Sequence, residues 1–359
     1  MEQEKYLYFS DCSHFLGYIP CKPHKIHGVH CQDCQFYSPK KNKILIIKLG
    51  AIGDVIRTTP LIHRLVSEYP NSEIWWLTYT PDVVPTTVHK VLRFNLESIL
   101  LLEETKFDTV INLDKDYQAC ALAKKIEKSN LYGFTLIEGR PAPANDLARQ
   151  KFITGLFDDA NKENTKSYPE EIFEICGLKF KGEEYILEID DSIKWEIDNA
   201  GKKIVGLNTG CGDRWVSRLW PDKYWIEIIN LLVKNGFYPL LLGGNQEHEK
   251  NRHFSKETGA AYLGHFPLKN FISLVNCCDA VVTAVTMALH IAVGLKKKVA
   301  LINNIFNPKE FELYGRGEII SPDKECTCFF SPKCSNNDYF CLESLPPTKI
   351  IDSLKRLLV

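Results

Sequence analysis

With 359 residues, 45% of them hydrophobic, and a formal net charge of −1, the chain has a globular composition. It is too long for one ordinary core and suits two domains of about 150 residues each with an appendage. The balanced charge gives no electrostatic reason to bind nucleic acid. The opening Met-Glu-Gln-Glu-Lys-Tyr lacks a basic region followed by an apolar one, and no run of about 18 apolar residues occurs, so a cytoplasmic location is expected.

Residues 1–42 are rich in Cys, His and Pro and show neither helical nor strand periodicity, so they need a source of order such as metal or docking onto the body. The chain has 13 cysteines, and a reducing compartment disfavours structural disulfides. Cys12, Cys21, Cys31 and Cys34 gather in this first block, with His14, His24, His27 and His30 as alternative ligands, while Cys326, Cys328, Cys334 and Cys341 gather near the end. One structural zinc or iron site at each end is the favoured reading. The alternatives are buried thiols packing irregular segments, or oxidised pairs Cys326/Cys328 and Cys334/Cys341. Cys120, Cys176, Cys211, Cys277 and Cys278 read as small buried hydrophobes.

From Lys43 an α/β alternation begins, and 43–195 reads as a Rossmann-like domain. A strand at 44–49, apolar on both faces except at Lys48, breaks into Gly50-Ala-Ile-Gly53-Asp54. Glycines there permit a tight strand-to-helix turn and close approach of a ligand, and Asp54 arrives at the carboxyl edge of the sheet, where open-sheet enzymes keep their chemistry. The plain alternative is that Asp54 is only an N-cap. A helix is expected over about Val55–Tyr69 and strands at Glu73–Tyr79 and Thr109–Leu113, the last running into Asp114-Lys115-Asp116. Residues 161–169 read as loop and 193–200 as a short helix or linker.

A second Rossmann-like series spans 196–345, with strands at 203–208, 238–242, 280–283 and 298–302 and helices at about 224–235, 268–275 and 286–294. The active site is expected in the cleft between the two halves. Three strand ends resemble nucleotide-recognition elements. The turn with Thr209 and Gly210 is followed by Arg214, Arg218 and Lys223, and Gly-rich backbone with guanidinium suits a pyrophosphate. Glu247 or Glu249, after Leu242-Gly-Gly, can accept from ribose hydroxyls. Thr286, Met287 and Ala288 open a helix whose free N–H groups suit phosphate, with His290 one turn further in. A lone helical histidine is otherwise a satisfied core residue.

These motifs, in this order over about 43–345, resemble glycosyltransferase family 9, the ADP-heptose heptosyltransferases. The resemblance implies a GT-B fold, an acceptor bound by the first half, a nucleotide sugar bound by the second, and inverting transfer. It implies that Asp54 is the general base, that Arg218 stands where the family places a lysine on the donor phosphates, and that Thr286 and His290 belong to the donor motif. Val285 and Met287 depart from that motif's aspartate and glycine, which leaves the donor sugar open. Gly53, Arg57, Asp114 and Lys115 are the acceptor-side candidates. No cofactor is expected for catalysis. The expected partners are an ADP-sugar and a glycan or protein acceptor, without nucleic acid and with room for peripheral membrane contact and a homo-oligomer. The cysteine-bearing C-terminal segment is similar in placement to the iron finger of autotransporter heptosyltransferases, with different spacings, and a final helix in 346–359 is expected to pack back on the first domain.

Two rival readings carry less. Asp114-Lys115-Asp116 as a DxD metal–nucleotide site lies in the wrong half for the phosphate-like turns. A nucleotide-binding oxidoreductase would want GxGxxG and an acid after the second strand, where Trp75-Trp-Leu-Thr-Tyr stands instead, and a metal-dependent scaffold has no use for Asp54 and Arg218.

Overall fold

The computed structural model describes residues 6–358. One sheet has six strands: β1 (Asn42–Ile47), β2 (Ser72–Thr78), β3 (Lys90–Arg93), β4 (Phe107–Asn112), β5 (Lys128–Ile137) and β6 (Arg140–Pro143). Their order is β3-β2-β1-β4-β5-β6, all pairs parallel except β5 with β6. The central strands are buried along both faces, as their apolar runs require, and Leu45, Ile47, Trp75, Leu77, Phe107 and Val110 form a core with Ala119 and Ala123 of the helix Tyr117–Lys125.

The second sheet has five parallel strands: β7 (Ile204–Asn208), β8 (Tyr238–Leu242), β9 (Ala280–Ala284), β10 (Lys298–Ile302) and β11 (Gly317–Ile320), ordered β11-β10-β9-β7-β8. Its core joins Val205, Leu207, Trp220, Trp225, Ile350 and Leu354. Both sheets are Rossmann-like α/β sheets, the expected fold class. The strands absent from the sequence reading are β3, β5, β6 and β11, all at or next to a sheet edge, where one-sided burial weakens the apolar signal.

Two compact units emerge. One holds the chain up to Leu49, Ile62–Pro81 and Thr86–Asn145; the other holds Gly50–Leu61, Asp82–Pro85 and everything from Asp146. The Asp54 turn thus groups with the second sheet. The final helix, Pro347–Leu357, packs on the helix Asp222–Lys234 and on β10 and β11 of its own unit. Its buried Ile350, Ile351 and Leu354 find their apolar partners there.

Pro60 splits the expected helix 55–69 into Ile52–Ile56 and Pro60–Glu68, because proline lacks the N–H that would continue the ladder. Thr58 and Thr59 satisfy the interrupted carbonyls, donating from Oγ1 to the carbonyls of Asp54 and Ile56, each at 2.7 Å. Residues 193–200 form no helix. No helix among the described residues is long and apolar enough to cross a membrane.

Candidate active site

Within the second unit a cavity of about 640 Å³ opens at the carboxyl ends of β7, β8, β9 and β10. That volume lies in the range of small-molecule sites. Its lining includes Gly53, Asp54, Arg57, Gly210, Arg218 and Glu247, together with Thr286, Met287, Ala288 and His290.

Asp54 is the third residue of the helix Ile52–Ile56 and not its N-cap, which is Ala51. Its Oδ2 accepts the Ala51 N–H at 3.3 Å and its Oδ1 lies 2.8 Å from Arg57 Nη2. The carboxylate side chain is a third exposed, so it is held yet open to the cavity. Arg57 is nearly buried and reaches Glu310 Oε1 at 2.7 Å through Nη1, while its guanidinium lies 3.6 Å from the Tyr168 ring centre. Burial works against its charge, but the carboxylates of Asp54 and then Glu310 outweigh that and raise its pKa above the ordinary value.

His290 packs directly on Gly53: a Cβ at that glycine would meet His290 Cδ2 at 2.5 Å. The absence of a side chain at Gly53 thus lets the helix Met287–Gly294 approach the Asp54 turn. Burial first, and the neighbouring Arg57 charge second, push the His290 imidazole down to about 3. It is neutral at working pH, with Nδ1 buried and lacking a hydrogen-bond partner.

On the other strand ends, Asn208 Nδ2 donates to the Gly210 carbonyl at 3.0 Å, to Thr283 Oγ1 at 3.2 Å and to Thr286 Oγ1 at 3.3 Å, tying the turns after β7 and β9 together. Thr286 caps its helix by accepting the Ala288 N–H at 3.2 Å, which aims the positive end of the dipole at the cavity. Glu247 lies against two glycines, since a Cβ at Gly210 would meet its Oε1 at 1.9 Å and one at Gly243 its Cβ at 2.7 Å. The Gly244 N–H donates to its other oxygen at 2.9 Å.

Arg218 is 8% exposed and forms no ion pair among the described residues. It donates to the carbonyls of Val285 and Cys211, rests 5.3 Å from the Trp215 ring and 5.5 Å from that of Phe306, and leaves Nε without a partner. Burial lowers its pKa to about 10, so it stays charged at neutral pH. A buried cation with no counter-ion costs several kcal/mol unless an anion joins it, on the order of the desolvation of one charge.

A family model for glycosyltransferase family 9 (heptosyltransferase) matches residues 99–339, more than half of the chain. The chain belongs to glycosyltransferase family 9. Glycosyl transfer is therefore its activity. It is 20% identical over 358 residues to lipopolysaccharide heptosyltransferase 1 of Pseudomonas aeruginosa, covering 88% of this chain and 98% of that protein. Among solved structures it is similar to the family-9 glycosyltransferase of Veillonella parvula, with TM-score 0.70 and 16% identity over 89% of this chain and 97% of that one. It is also similar to the ADP-heptose lipopolysaccharide heptosyltransferase II of E. coli, with TM-score 0.62 and 16% identity over 88% and 98%. Those neighbours share the two-domain GT-B fold.

Not every residue expected in this glycosyltransferase's site reaches the cavity. Glu249 points to solvent, paired with Arg252 at 3.3 Å. Thr209 is buried and donates to Asn251 at 2.6 Å, and Arg214 is exposed and leans on Trp215. Asp114 and Lys115 belong to the first unit. Asp114 is buried, ion-paired with Lys48, and accepts the Leu49 N–H, so it clamps β1 to the end of β4. Burial raises its pKa despite Lys48. Lys115 leans over Phe134 at 5.8 Å. With Asp114 occupied in this way, the DxD alternative loses its first ligand. Sequence reasoning missed Glu310, Trp215, Phe306 and Phe330. The signal for Glu310 and Phe306 was present, because both follow the carboxyl end of β10.

Among the described residues no group of three His, Cys, Asp or Glu side chains is placed to hold a metal ion, at Cys12, Cys21, Cys31 and Cys34 or at Cys326, Cys328, Cys334 and Cys341. All are free thiols. The near neighbours are Cys328 and Cys334, with Sγ atoms 3.5 Å apart, and Cys326 with Cys341, not the sequential pairs. His27 stacks on Phe36, and His30 on Tyr6. The C-terminal set has a bracing role. Ser331 and Pro332 carbonyls accept Ser217 Oγ at 2.6 Å and Ser217 N–H at 3.2 Å, and Asn304 donates both to the Ser217 carbonyl and to Cys341 Sγ. The segment thereby fixes the turn that carries Arg218 and delivers Phe330 to the cavity wall.

Proposed function

We propose that the enzyme transfers heptose from ADP-heptose, with inversion, to a hydroxyl of a glycan or protein acceptor, with Asp54 as general base. The observation that carries this reading is Arg218, a buried cation without a counter-ion on the wall of a cavity that also receives a helix N-terminus at Thr286. A diphosphate supplies the missing negative charge. Asp54 takes the proton of the acceptor hydroxyl, the oxygen forms a bond to the anomeric carbon, and the bond from that carbon to the diphosphate oxygen breaks. Arg218 and the helix dipole stabilise the charge that develops on the leaving diphosphate. Glu247 is suited to ribose hydroxyls, and neutral His290 fills the space beside Gly53 without adding a competing charge.

The heptose donor is supported by kinship with enzymes named for ADP-heptose. Val285, in place of the donor-motif aspartate, leaves Arg218 unpaired, so more of its charge is available to phosphate. Calorimetric titration with ADP-heptose, UDP- and GDP-sugars, with turnover measured on wild type and Asp54→Asn, tests the reading. Selective binding of ADP-heptose, kept in Asp54→Asn while turnover falls about a hundredfold or more, is the expected result. Equal affinity for all three nucleotides, or an Asp54→Asn variant of full activity, overturns it.

A further inference from the structure

Three aromatic rings on the cavity wall have no part in the transfer steps above. Trp215 follows β7, Phe306 follows β10 and Phe330 lies in the cysteine-bearing segment, yet the three meet. Phe330 packs edge to face on Trp215 at 5.5 Å and on Phe306 at 5.3 Å between ring centres, and Trp215 lies 5.6 Å from Phe306. Phe330 is not an ordinary core residue. It is 49% exposed and its backbone is left-handed, with φ of 48°, a conformation that glycine adopts at less cost. Its N–H donates to the Ile305 carbonyl at 2.8 Å, which anchors it beside Phe306. A bulky side chain held in a costly backbone conformation and half open to a cavity is what a ligand contact requires and what core packing does not.

Position identifies the part of the ligand. The Arg218 guanidinium rests over Trp215 and Phe306, and on the loop that begins with Phe306, Glu310 holds Arg57, which in turn holds Asp54. That loop runs from the diphosphate cation to the base. Resting on the reading above, in which Arg218 meets the diphosphate and Asp54 the acceptor hydroxyl, the anomeric carbon stands between the two and the rings border the sugar it belongs to. A pyranose carries hydroxyls around its rim and C–H bonds on its faces, and these weakly positive C–H groups suit the negative face of an aromatic ring. We propose that Trp215, Phe306 and Phe330 form a wall that holds the transferred sugar by its C–H face. The cation and the rings then divide the donor between them: Arg218 takes the diphosphate and the wall takes the sugar.

Calorimetric titration of the full chain with ADP and with ADP-heptose, in the absence of acceptor, tests the proposal. Trp215 and Phe306 also support Arg218, so Phe330 is the cleaner probe. In Phe330→Gly, where the new residue suits the left-handed backbone, affinity for ADP-heptose is expected to fall about tenfold while affinity for ADP changes less than about twofold and the melting temperature is kept. Phe330→Tyr, which retains the ring, binds both as wild type does. Equal losses for ADP and ADP-heptose overturn the proposal in favour of a bracing or nucleoside-binding role. Unchanged donor affinity with a raised KM for the acceptor overturns it in favour of the acceptor. A wild type that does not bind ADP-heptose overturns the donor reading above and the wall with it, whereas a wild type that binds it and a Phe330→Gly variant that binds it equally well overturn the wall alone.

Discussion

Arg57 holds Asp54 with one guanidinium nitrogen at 2.8 Å and Glu310 with the other at 2.7 Å. The candidate base therefore shares its cation with a second carboxylate some 253 residues away in sequence. The shared guanidinium thereby fixes where the Asp54 carboxylate stands in the cavity.

Glu310→Gln removes the second carboxylate and leaves Arg57 to Asp54 alone. With one anchor gone the guanidinium and the Asp54 carboxylate lose their fixed position, and kcat is expected to fall about tenfold while the melting temperature changes little. Lowered activity matched by lowered stability assigns Glu310 a purely structural part.

Arg218→Met separates stability from function. Removing a buried cation that lacks a counter-ion is expected to leave unfolding free energy unchanged or to raise it by about 1 kcal/mol, while ADP binds about ten- to a hundredfold more weakly. Urea unfolding and calorimetry on the same preparation measure both. A clear loss of stability shows that the carbonyls of Val285 and Cys211 suffice as partners.

His290 makes stability depend on pH in a definite direction. Its folded pKa, lowered to about 3 by burial and then by Arg57, lies below the unfolded value of about 6.5. The neutral buried form is favoured, so its contribution is complete above about pH 6.5 and is lost as pH falls towards 3, at no more than about 1.4 kcal/mol per pH unit. Denaturant midpoints at pH 7 and pH 4.5 are expected to differ less in His290→Gln than in wild type. Equal differences in the two proteins sink the assignment.

Gly53→Ala places a methyl group where His290 Cδ2 stands 2.5 Å away, against a rigid helix. A loss of about 1–3 kcal/mol is expected, with a fall in turnover as the Asp54 turn is pushed aside. Gly53→Ala/His290→Ala restores much of the stability if the clash is the cause, and thermal melting of the single and double variants decides it.

Regular strands declare themselves locally. The runs Ile44–Ile47, Tyr238–Leu242 and Lys298–Ile302 are apolar on both faces because helices cover both sides of a parallel sheet, and the glycines and Asp54 that follow β1 mark a carboxyl-edge turn by chemistry alone. Asp54, Arg218, Glu247, Thr286 and His290 were legible for that reason, and all five line one cavity. Which residues share a space was not legible. Glu249 has the same chemistry two positions after Glu247 but faces solvent, since successive positions at a helix start point in different directions. Asp114 has a carboxylate at a strand end, as Asp54 does, yet Lys48 neutralises it inside the first unit. Glu310 stands after the carboxyl end of β10, where an acid is worth noting, but its partner Arg57 is brought near only by folding. Spacing along the chain does not specify which cysteines neighbour one another in space, and the bracing of the Arg218 turn by the C-terminal segment is visible only in the fold. Periodicity and turn chemistry are properties of neighbours in sequence; ion pairing, burial and the grouping of Gly50–Leu61 with the second sheet arise from long-range packing.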